Sequence, residues 1–335
     1  MSAESLTKEK LFDLESITKI SITKDYLICF LPIIIGILSV IEYYLVPNYE
    51  MNSITNTYGV FLSIPIILLF TTFLISLKNK SVFAKLRKKA PFYTLVFILL
   101  SFYDLLTLKT GKLMLPYFPW VDKVLNAMIS DRVYLLDCLK NSLILLFTGY
   151  FCGAILGLIT GIACGYNKKI NYWISPFMRL LGPIPSITWV PIVMVIIASL
   201  FKGAVFIIAL GVWYAVTIAT ITGISNVDNS YFEAAKTLGA SSKQLIFGIA
   251  IPYSMPNIFQ GLTQGMSSAC TSLLVAEMLG VESGLGWYIT WQKSWAEFGK
   301  MYGAIILICI TFIAVNFVMA EIRKRVLKWQ EGVIR

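Results

Sequence analysis

Few side chains in this sequence have the chemistry of a catalytic or metal site. The 335 residues include no histidine, which removes the commonest metal ligand and general base. Three carboxylates stand inside long apolar runs: Glu42, Asp104 and Glu277. Charge inside a membrane segment usually marks function, but Glu42 and Asp104 lie towards the outer ends of their runs, where water can reach them. Glu277 is a candidate for an outer gate, and so sparse a set does not support a proton relay.

The sequence patterns of nucleotide and hydrolytic chemistry are missing as well. There is no G-x-x-x-x-G-K-[ST] for ATP, no H-E-x-x-H and no G-x-S-x-G. The six cysteines include no C-x-x-C pair and are interpreted as small buried apolar residues. We therefore expect no enzymatic activity, no metal ion and no cofactor bound by this chain.

One short polar stretch, NSYFEAAKTLGASS, lies between two apolar runs and has the pattern of a docking helix. Ser230 and Glu233 fit a capping box at its start, and Gly239 is placed to end it. One face of this helix carries Tyr231, Ala234, Ala235 and Leu238. The sequence therefore predicts a small amphipathic helix with a narrow apolar face.

A second helix, SKQLIFGIAIPYS, is expected directly after the turn, capped by Ser241 or Ser242. The stretch therefore predicts a helix, a sharp turn and a second helix. A small apolar face suits insertion into a groove on a partner protein. The alternative is a helix lying on the lipid surface, which usually carries bulkier side chains.

Composition places the chain in a membrane. It is 57% hydrophobic and 14% charged, with a mean hydropathy of +0.76, whereas soluble domains carry roughly 25% charged residues. Because about 20 helical residues cross a hydrocarbon core of about 30 Å, the apolar runs predict eight spans. They are Tyr26–Val46, Tyr58–Leu77, Pro91–Leu108, Ser142–Gly165, Pro176–Leu200, Ala204–Gly223, Ile258–Leu279 and Tyr302–Ala320.

Basic residues indicate the orientation of these spans. The link KNKSVFAKLRKKA has six Lys or Arg and no acid, and the C-terminal tail contains RKRVLK. With the N-terminus inside, most of the 28 Lys and Arg lie on the inner side, which predicts that both termini are cytoplasmic. The net charge of +10 is then mainly a topology signal, and binding of nucleic acid is not expected. The polar N-terminus lacks the features of a signal peptide.

Two spans have further patterns. Glycine recurs at every fourth residue of the fourth span, at Gly149, Gly153, Gly157, Gly161 and Gly165, and this spacing predicts close helix packing. Gly182-Pro-Ile-Pro185 opens the fifth span and Pro191 interrupts it, which predicts a bent helix that either lines a pathway or only shapes packing. Trp189, Trp213 and Tyr214 are candidates to flank such a pathway.

Several of these stretches together resemble the permease subunits of ABC importers, the inner-membrane components of binding-protein-dependent transport. Glu233-Ala234-Ala235, Gly239 and Ile251-Pro252 match the EAA–glycine–proline loop of that family. Four further stretches are similar to the nitrate, sulfonate and taurine branch of that family: LPYFPWVDKVLNAM, SPFMRLLGPIPSITWVPIVMV, LLVAEMLGVESGLGWYI and RKRVLKW.

The resemblance covers about residues 91–329, which implies the six-helix core of the type I ABC importer transmembrane fold. Within it, residues 224–257 correspond to the cytoplasmic coupling loop. Residues 1–90 then form an N-terminal tail, two extra transmembrane helices and the basic link, and residues 330–335 form a C-terminal tail. The resemblance thus implies an all-α polytopic membrane protein.

The resemblance also implies function and partners. In the family, two permeases and two cytoplasmic ATPase subunits form the translocator in a prokaryotic inner membrane, and an extracytoplasmic binding protein delivers the solute. The implied coupling residues are Ser230, Tyr231, Glu233, Ala234, Ala235, Leu238, Gly239 and Pro252. The candidate pathway or gate residues are Pro185, Trp189, Pro191, Glu277, Gly284 and Gly286. ATP and Mg²⁺ are expected to be used by the partner ATPase.

Some alternatives stay open at this point. The branch includes importers of nitrate, sulfonates and taurine and of small aromatic or pyrimidine compounds. A permease homodimer in membrane lipid is expected, with a heterodimer as the alternative. A stand-alone secondary transporter is the other functional hypothesis, although the docking loop has no mirror copy in the chain. A membrane-embedded enzyme is disfavoured by the missing catalytic patterns.

Overall fold

The structure is a computed structural model that describes residues 3–50 and 52–329, without the side chains of residues 3–23, 279 and 280. Every regular element in these ranges is a helix, as expected. The helices are α1 (Ala3–Leu45), α2 (Asn56–Lys78), α3 (Lys80–Asp104), α4 (Val121–Ser130), α5 (Arg132–Tyr166), α6 (Lys168–Leu181), α7 (Val190–Ile196), α8 (Leu200–Ser225), α9 (Asn229–Thr237), α10 (Ser242–Leu245), α11 (Ile251–Gly280), α12 (Leu285–Ser294) and α13 (Phe298–Val326). Short π-helical turns follow α3 and α10, and a 3₁₀ turn precedes α7.

The described residues contain seven helices that are long and apolar enough to cross a membrane, or up to eight spans if one bent pair counts as a crossing. The chain is therefore a multi-pass membrane protein. The predicted span Pro176–Leu200 is bent, as expected: α6 and the segment Ser186–Ile196 meet at an angle of 84°. Proline removes a backbone donor and disfavours helix at the preceding residue, so Pro183 and Pro185 break the helix here.

Two other spans differ in their extent. The helix α5 begins at Arg132, ten residues before the predicted start at Ser142. The helices α10 and α11 join through a π-helical turn into one segment, Ser242–Met278, so the second helix of the loop runs directly into the seventh span. Pro252 lies at the start of α11, directly after the π-helical turn, and does not interrupt this segment.

The chain divides into two compact units, Met1–Ser130 and Asp131–Arg335. In the first unit, α1 packs along α2 and α3. The third span, which the resemblance assigns to the permease core, thus packs with the two extra spans. The domain boundaries predicted from the sequence, with a core starting at residue 91, stay a prediction.

In the second unit, α8 is packed between α5 and α11. The glycine stripe of α5 faces α8: a methyl group added at Gly149 would lie 2.6 Å from Ile208, and one at Gly161 would lie 2.5 Å from Thr220. These separations are too short for carbon atoms, so only glycine permits this approach of the two helices. Gly153, Gly157 and Gly165 face α8 in the same way.

Buried polar groups hold the first unit together at one end. Asp122 accepts hydrogen bonds from the backbone N–H groups of Thr55 and Tyr58 and from the Thr55 hydroxyl, at 2.8–3.1 Å. These bonds tie α4 to the start of α2. Each carboxylate oxygen of Asp122 has at least one donor, so its burial is compensated.

Asp104, at the end of α3, is buried without such compensation, so the expectation that water reaches it is wrong. It is 0% exposed, and neither of its carboxylate oxygens has a hydrogen-bond partner within the described chain. Lys109 is the nearby cation, but its ammonium donates to the carbonyl oxygens of Tyr43 and Val46 and to Asn48 Oδ1. Because an ammonium has three N–H donors, none is left for Asp104.

Asp104→Asn is expected to raise the midpoint of thermal unfolding of the purified chain by a few degrees. The substitution removes a buried charge that has no hydrogen bond, and this relief contributes about 1 kcal/mol. Asp122→Asn is the matched control and is expected to lower the midpoint, because one amide oxygen cannot serve three donors. Equal losses from both substitutions, measured by intrinsic fluorescence in detergent, would contradict this account.

Candidate functional site

The predicted docking helix is present as α9, but its cap differs from the prediction. The helix is capped by Asp228, whose side chain accepts a hydrogen bond from the N–H of Ser230 at 2.9 Å. This bond holds the pKa of the exposed Asp228 carboxyl below its usual range. The predicted capping box of Ser230 and Glu233 is therefore wrong: a carboxylate two residues earlier takes the N-terminal position instead.

The turn after α9 has the expected geometry. Gly239 has a φ of +83°, a conformation that favours glycine. Its N–H donates to the carbonyl of Lys236, and the next N–H donates to Ala235, which closes the helix. Ser241 then caps α10, where a reciprocal capping box forms with Gln244. Helix, turn and second helix are thus positioned by local hydrogen bonds.

One face of α9 and of the residue that follows it is largely exposed. Leu238 is 89% exposed and Tyr231 is 56% exposed, although the Tyr231 ring lies 6.2 Å from that of Tyr253. On the other side, the Phe232 ring lies 6.3 Å from Tyr166 at the end of α5. The helix is thus anchored by Phe232 and presents an apolar, partly alanine surface outward.

A cavity of about 460 Å³ lies between α8 and α11, and we call it the central groove. Small side chains on both helices open the space. Its polar lining comes mostly from Asn257, Gln260 and Gln264 on α11, which form no hydrogen bond to any described residue. The remaining lining residues are Gly211, Tyr214, Ala215, Ile218, Ala219, Thr222, Gly261 and Ser268.

A second cavity of about 170 Å³, the break cavity, lies where α6 ends at the bend. It shares Gly211, Tyr214 and Ser268 with the central groove, so the two spaces adjoin. The other lining residues are Leu181, Gly182, Ile184, Pro185, Ser186, Trp189 and Leu210. Of the predicted pathway residues, Pro185 and Trp189 therefore line this cavity, and Pro191 does not.

The other predicted gate residues form a buried clamp away from both cavities. Glu277 Oε1 accepts a hydrogen bond from Ser142 Oγ at 2.6 Å, and Oε2 accepts one from the N–H of Gly286 at 2.7 Å. Ser142 Oγ in turn accepts from the N–H of Leu285 at 2.8 Å. Gly284, with a φ of +130°, lies against the carboxylate. The clamp joins the end of α11 to α12 and α5.

The three amide side chains of the central groove, which we call the amide row, were not among the predicted site residues. Asn257, Gln260 and Gln264 recur at intervals of three and four residues, which places them on one face of a helix. That spacing, within an otherwise apolar span, was the available signal. Only the packing of α11 on α8 shows that the face lines a cavity.

Glu277→Ala is expected to lower the free energy of unfolding by about 2–4 kcal/mol, because the Ser142 hydroxyl and the Gly286 N–H lose their buried acceptor. Glu282→Ala is the control, since Glu282 is exposed on the neighbouring loop. Denaturant unfolding in detergent gives the comparison. A clear change in solute uptake with no loss of stability would instead favour a gate.

Long apolar helices, a polar groove between two of them and an exposed helix–turn–helix between the same two define a membrane transport subunit. Residues 153–329 match the family described as binding-protein-dependent transport system inner membrane component, which is more than half of the chain. The chain belongs to that family, and the resemblance seen in its sequence is confirmed.

The names of two similar proteins agree with membership of this family. The chain is 28% identical over 184 residues to SsuC of Bacillus subtilis, named as an aliphatic sulfonates transport permease, covering 55% of this chain and 67% of that one. It is 23% identical over 195 residues to the taurine transport system permease protein TauC of Escherichia coli, covering 58% and 71%.

A solved structure shows the same fold. The chain has a TM-score of 0.50 and 19% identity to a chain of the MetNI methionine ABC transporter in inward-facing form, covering 59% of this chain and 98% of that one. The predicted ABC importer transmembrane fold is thereby confirmed.

Proposed function

We propose that this chain is the permease subunit of an ATP-driven importer and forms the path by which a small solute crosses the membrane. The observation that carries the proposal is that the family match spans both the central groove and α9. A stand-alone secondary transporter has less support, because neither the family membership nor the single exposed helix–turn–helix calls for it.

The helix α9 is the proposed link to a cytoplasmic ATPase subunit. Tyr231, Ala234, Ala235 and Leu238 form the inserted face, because alanine permits close approach and Leu238 supplies exposed apolar area. Gly239 makes the turn that directs α10 and α11 back into the membrane, with Pro252 in the first turn of α11. Ser230 and Glu233 lie on the exposed part of the same helix. ATP and Mg²⁺ would bind to the ATPase and not to this chain.

This arrangement implies an orientation and further partners. Docking places α9 in the cytoplasm, which agrees with cytoplasmic termini in a prokaryotic inner membrane and with the basic links on the inner side. An extracytoplasmic binding protein delivers the solute. Two copies of this chain fill the two ATPase clefts, with a heterodimer as the alternative. The names of SsuC and TauC favour a sulfonate or taurine-like solute over the small aromatic or pyrimidine compounds.

Gentle purification from native membranes tests the proposal. A stoichiometric ATPase subunit identified by mass spectrometry is expected, and its loss when Ala234 and Ala235 are both replaced by Trp would show that this face binds it. The double substitution Ala127→Trp, Ser130→Trp on α4, outside the family match, is the control. A chain that is active in uptake without any ATPase would sink the importer proposal and favour the secondary transporter.

Gly239→Glu is expected to reduce solute uptake at least tenfold while the chain still inserts into the membrane. A Cβ atom at position 239 would meet no other atom within 4 Å, so the substitution causes no clash. It destabilises the turn itself, because a φ of +83° is unfavourable for glutamate. Gly239→Asn is the control, because asparagine tolerates this conformation. Uptake and ATPase stimulation that stay normal in Gly239→Glu would show that the turn does not transmit motion.

A further inference from the structure

The helices α1 and α3 of the first unit pack side by side in a constant register. Asp25 on α1 forms a salt bridge with Arg87 on α3 at 2.8 Å, and the hydroxyl of Ser101 donates a hydrogen bond to that of Ser39 at 2.7 Å. In both pairs the residue on α3 follows the residue on α1 by 62 positions. The two helices therefore run in the same direction, and residues with this separation face each other.

Glu42 and Asp104 have the same separation in the sequence, and each follows the contacting serine of its helix by three residues. Three residues make almost one helical turn, so the two carboxylates lie next to the contact between Ser39 and Ser101. They are close enough to interact electrostatically, and Tyr58 on α2 interacts with both. We call the side chains of Glu42, Asp104 and Tyr58 the oxygen cluster.

Four oxygen atoms of the oxygen cluster are buried and have no hydrogen-bond partner among the described residues. They are both carboxylate oxygens of Asp104, Oε1 of Glu42 and the hydroxyl oxygen of Tyr58. Asp104 is 0% exposed and Tyr58 is 1% exposed. Because buried polar groups are nearly always paired, these atoms on three neighbouring side chains indicate a ligand between α1, α2 and α3.

The charge of the surroundings favours a positively charged ligand. Glu42 and Asp104 carry two negative charges, and Lys109, which interacts electrostatically with both, carries one positive charge. The hydrogen bonds of the Lys109 ammonium all go to oxygen atoms outside the oxygen cluster. Asp122, the next carboxylate, has three donors of its own. One negative charge is left over, and its burial is costly without a partner.

A metal cation fits these atoms better than a proton does. A proton shared between two carboxylates serves two oxygen atoms, whereas the oxygen cluster has four that lack a partner. A metal cation can be bound by all four, and carboxylate and hydroxyl oxygens are the ligands that hard cations prefer. A charge of +1 balances the negative charge left over, so a monovalent ion is favoured over a divalent one.

Glu42 connects the oxygen cluster to the surface. Its side chain is half-buried, although Oε1 is buried. In the orientation proposed above, both carboxylates lie towards the outer ends of their spans, so a cation can enter along Glu42 without crossing the lipid. A π-helical turn begins directly after Asp104, and such turns are frequent at functional sites.

We propose that Glu42, Asp104 and Tyr58 bind one monovalent metal cation, such as Na⁺, between α1, α2 and α3. The cation replaces the missing hydrogen-bond partners and joins the three helices, so the stability of the first unit depends on it. This inference is independent of the proposed importer function, because all three residues lie outside the family match.

Thermal unfolding of the purified full chain in detergent tests the inference, with NaCl, KCl or choline chloride at equal ionic strength. A ligand that binds only the folded chain raises the midpoint of unfolding. At least one of NaCl and KCl is expected to raise it by about 3 °C or more above its value in choline chloride, because choline is too large for the oxygen cluster. Equilibrium binding of the radioactive ion is expected to give about one ion per chain.

Three variants locate the cation. Asp104→Asn removes the negative charge left over and is expected to abolish both the bound ion and the difference between the salts. In choline chloride it is the more stable protein, because it lacks the buried charge. Tyr58→Phe removes one oxygen atom and no charge, and is expected to weaken ion binding about tenfold. Glu50→Gln changes an exposed carboxylate of the same unit and is the control, which keeps the full shift.

Three results would overturn the inference. The first is a wild-type midpoint that is equal in all three salts, with no ion bound. The second is a midpoint that changes with pH and not with the metal cation, because a proton would then bind to the oxygen cluster. The third is a salt effect that persists in Asp104→Asn, because the ion would then bind elsewhere. None of these results affects the importer proposal, which depends on the ATPase and on solute uptake.

Discussion

The close approach of α5 to α8 is the contact on which the second unit depends. In lipid there is little hydrophobic drive to bring helices together, so tight packing of small residues must supply it. The glycine stripe of α5 lets its backbone lie against Ile208, Val216 and Thr220, where any larger residue would collide. With one side of α8 covered in this way, its other side is left to pack on α11 and to line the central groove. The position of the groove thus follows from five residues that have no side chain.

The arrangement of polar groups inside the membrane segments depends on the absence of water from lipid. Each buried donor or acceptor needs a partner within the protein. Glu277 meets this need, because its two carboxylate oxygens accept hydrogen bonds that join α11 to α5 and α12. The carboxylate near the end of this span is therefore paired within the protein. Asp104 and one buried oxygen of Glu42 are exceptions among the described carboxylates, and both residues lie in the unit that the family match does not cover. The amides of the central groove have no hydrogen-bond partner among the described residues because they face the cavity between α8 and α11.

The broken span lines the end of the groove that is farthest from α9 and α10, where the two cavities share Gly211, Tyr214 and Ser268. Pro183 and Pro185 end α6, and the 84° bend turns Ser186 and Trp189 towards the wall of the break cavity. At the other end of the groove, α11 continues without interruption through a π-helical turn into α10 and the turn at Gly239. In the proposed coupling, a displacement of α9 would pass through the turn at Gly239 and then along the single helical segment Ser242–Met278, which carries the amide row. This continuity gives the proposed coupling a physical path from the ATPase contact to the solute.

The sequence by itself determined the features that depend on local composition and on residues close in the chain. Long apolar runs specified membrane helices, Gly239 specified the turn after α9, and Ser241 specified the cap of α10, because each depends on neighbours within a few residues. The family followed from short motifs read together. The prolines of the fifth span predicted a bend, and the structure set its angle at 84°. Tertiary structure alone decided the clamp around Glu277 and the convergence of Asn257, Gln260 and Gln264 on a cavity. Those features depend on contacts such as Ser142 with Glu277, which are 135 residues apart. Even the cap of α9 was decided by geometry, because Asp228 and Ser230 are both able to cap and only the backbone shows which of them precedes the first turn.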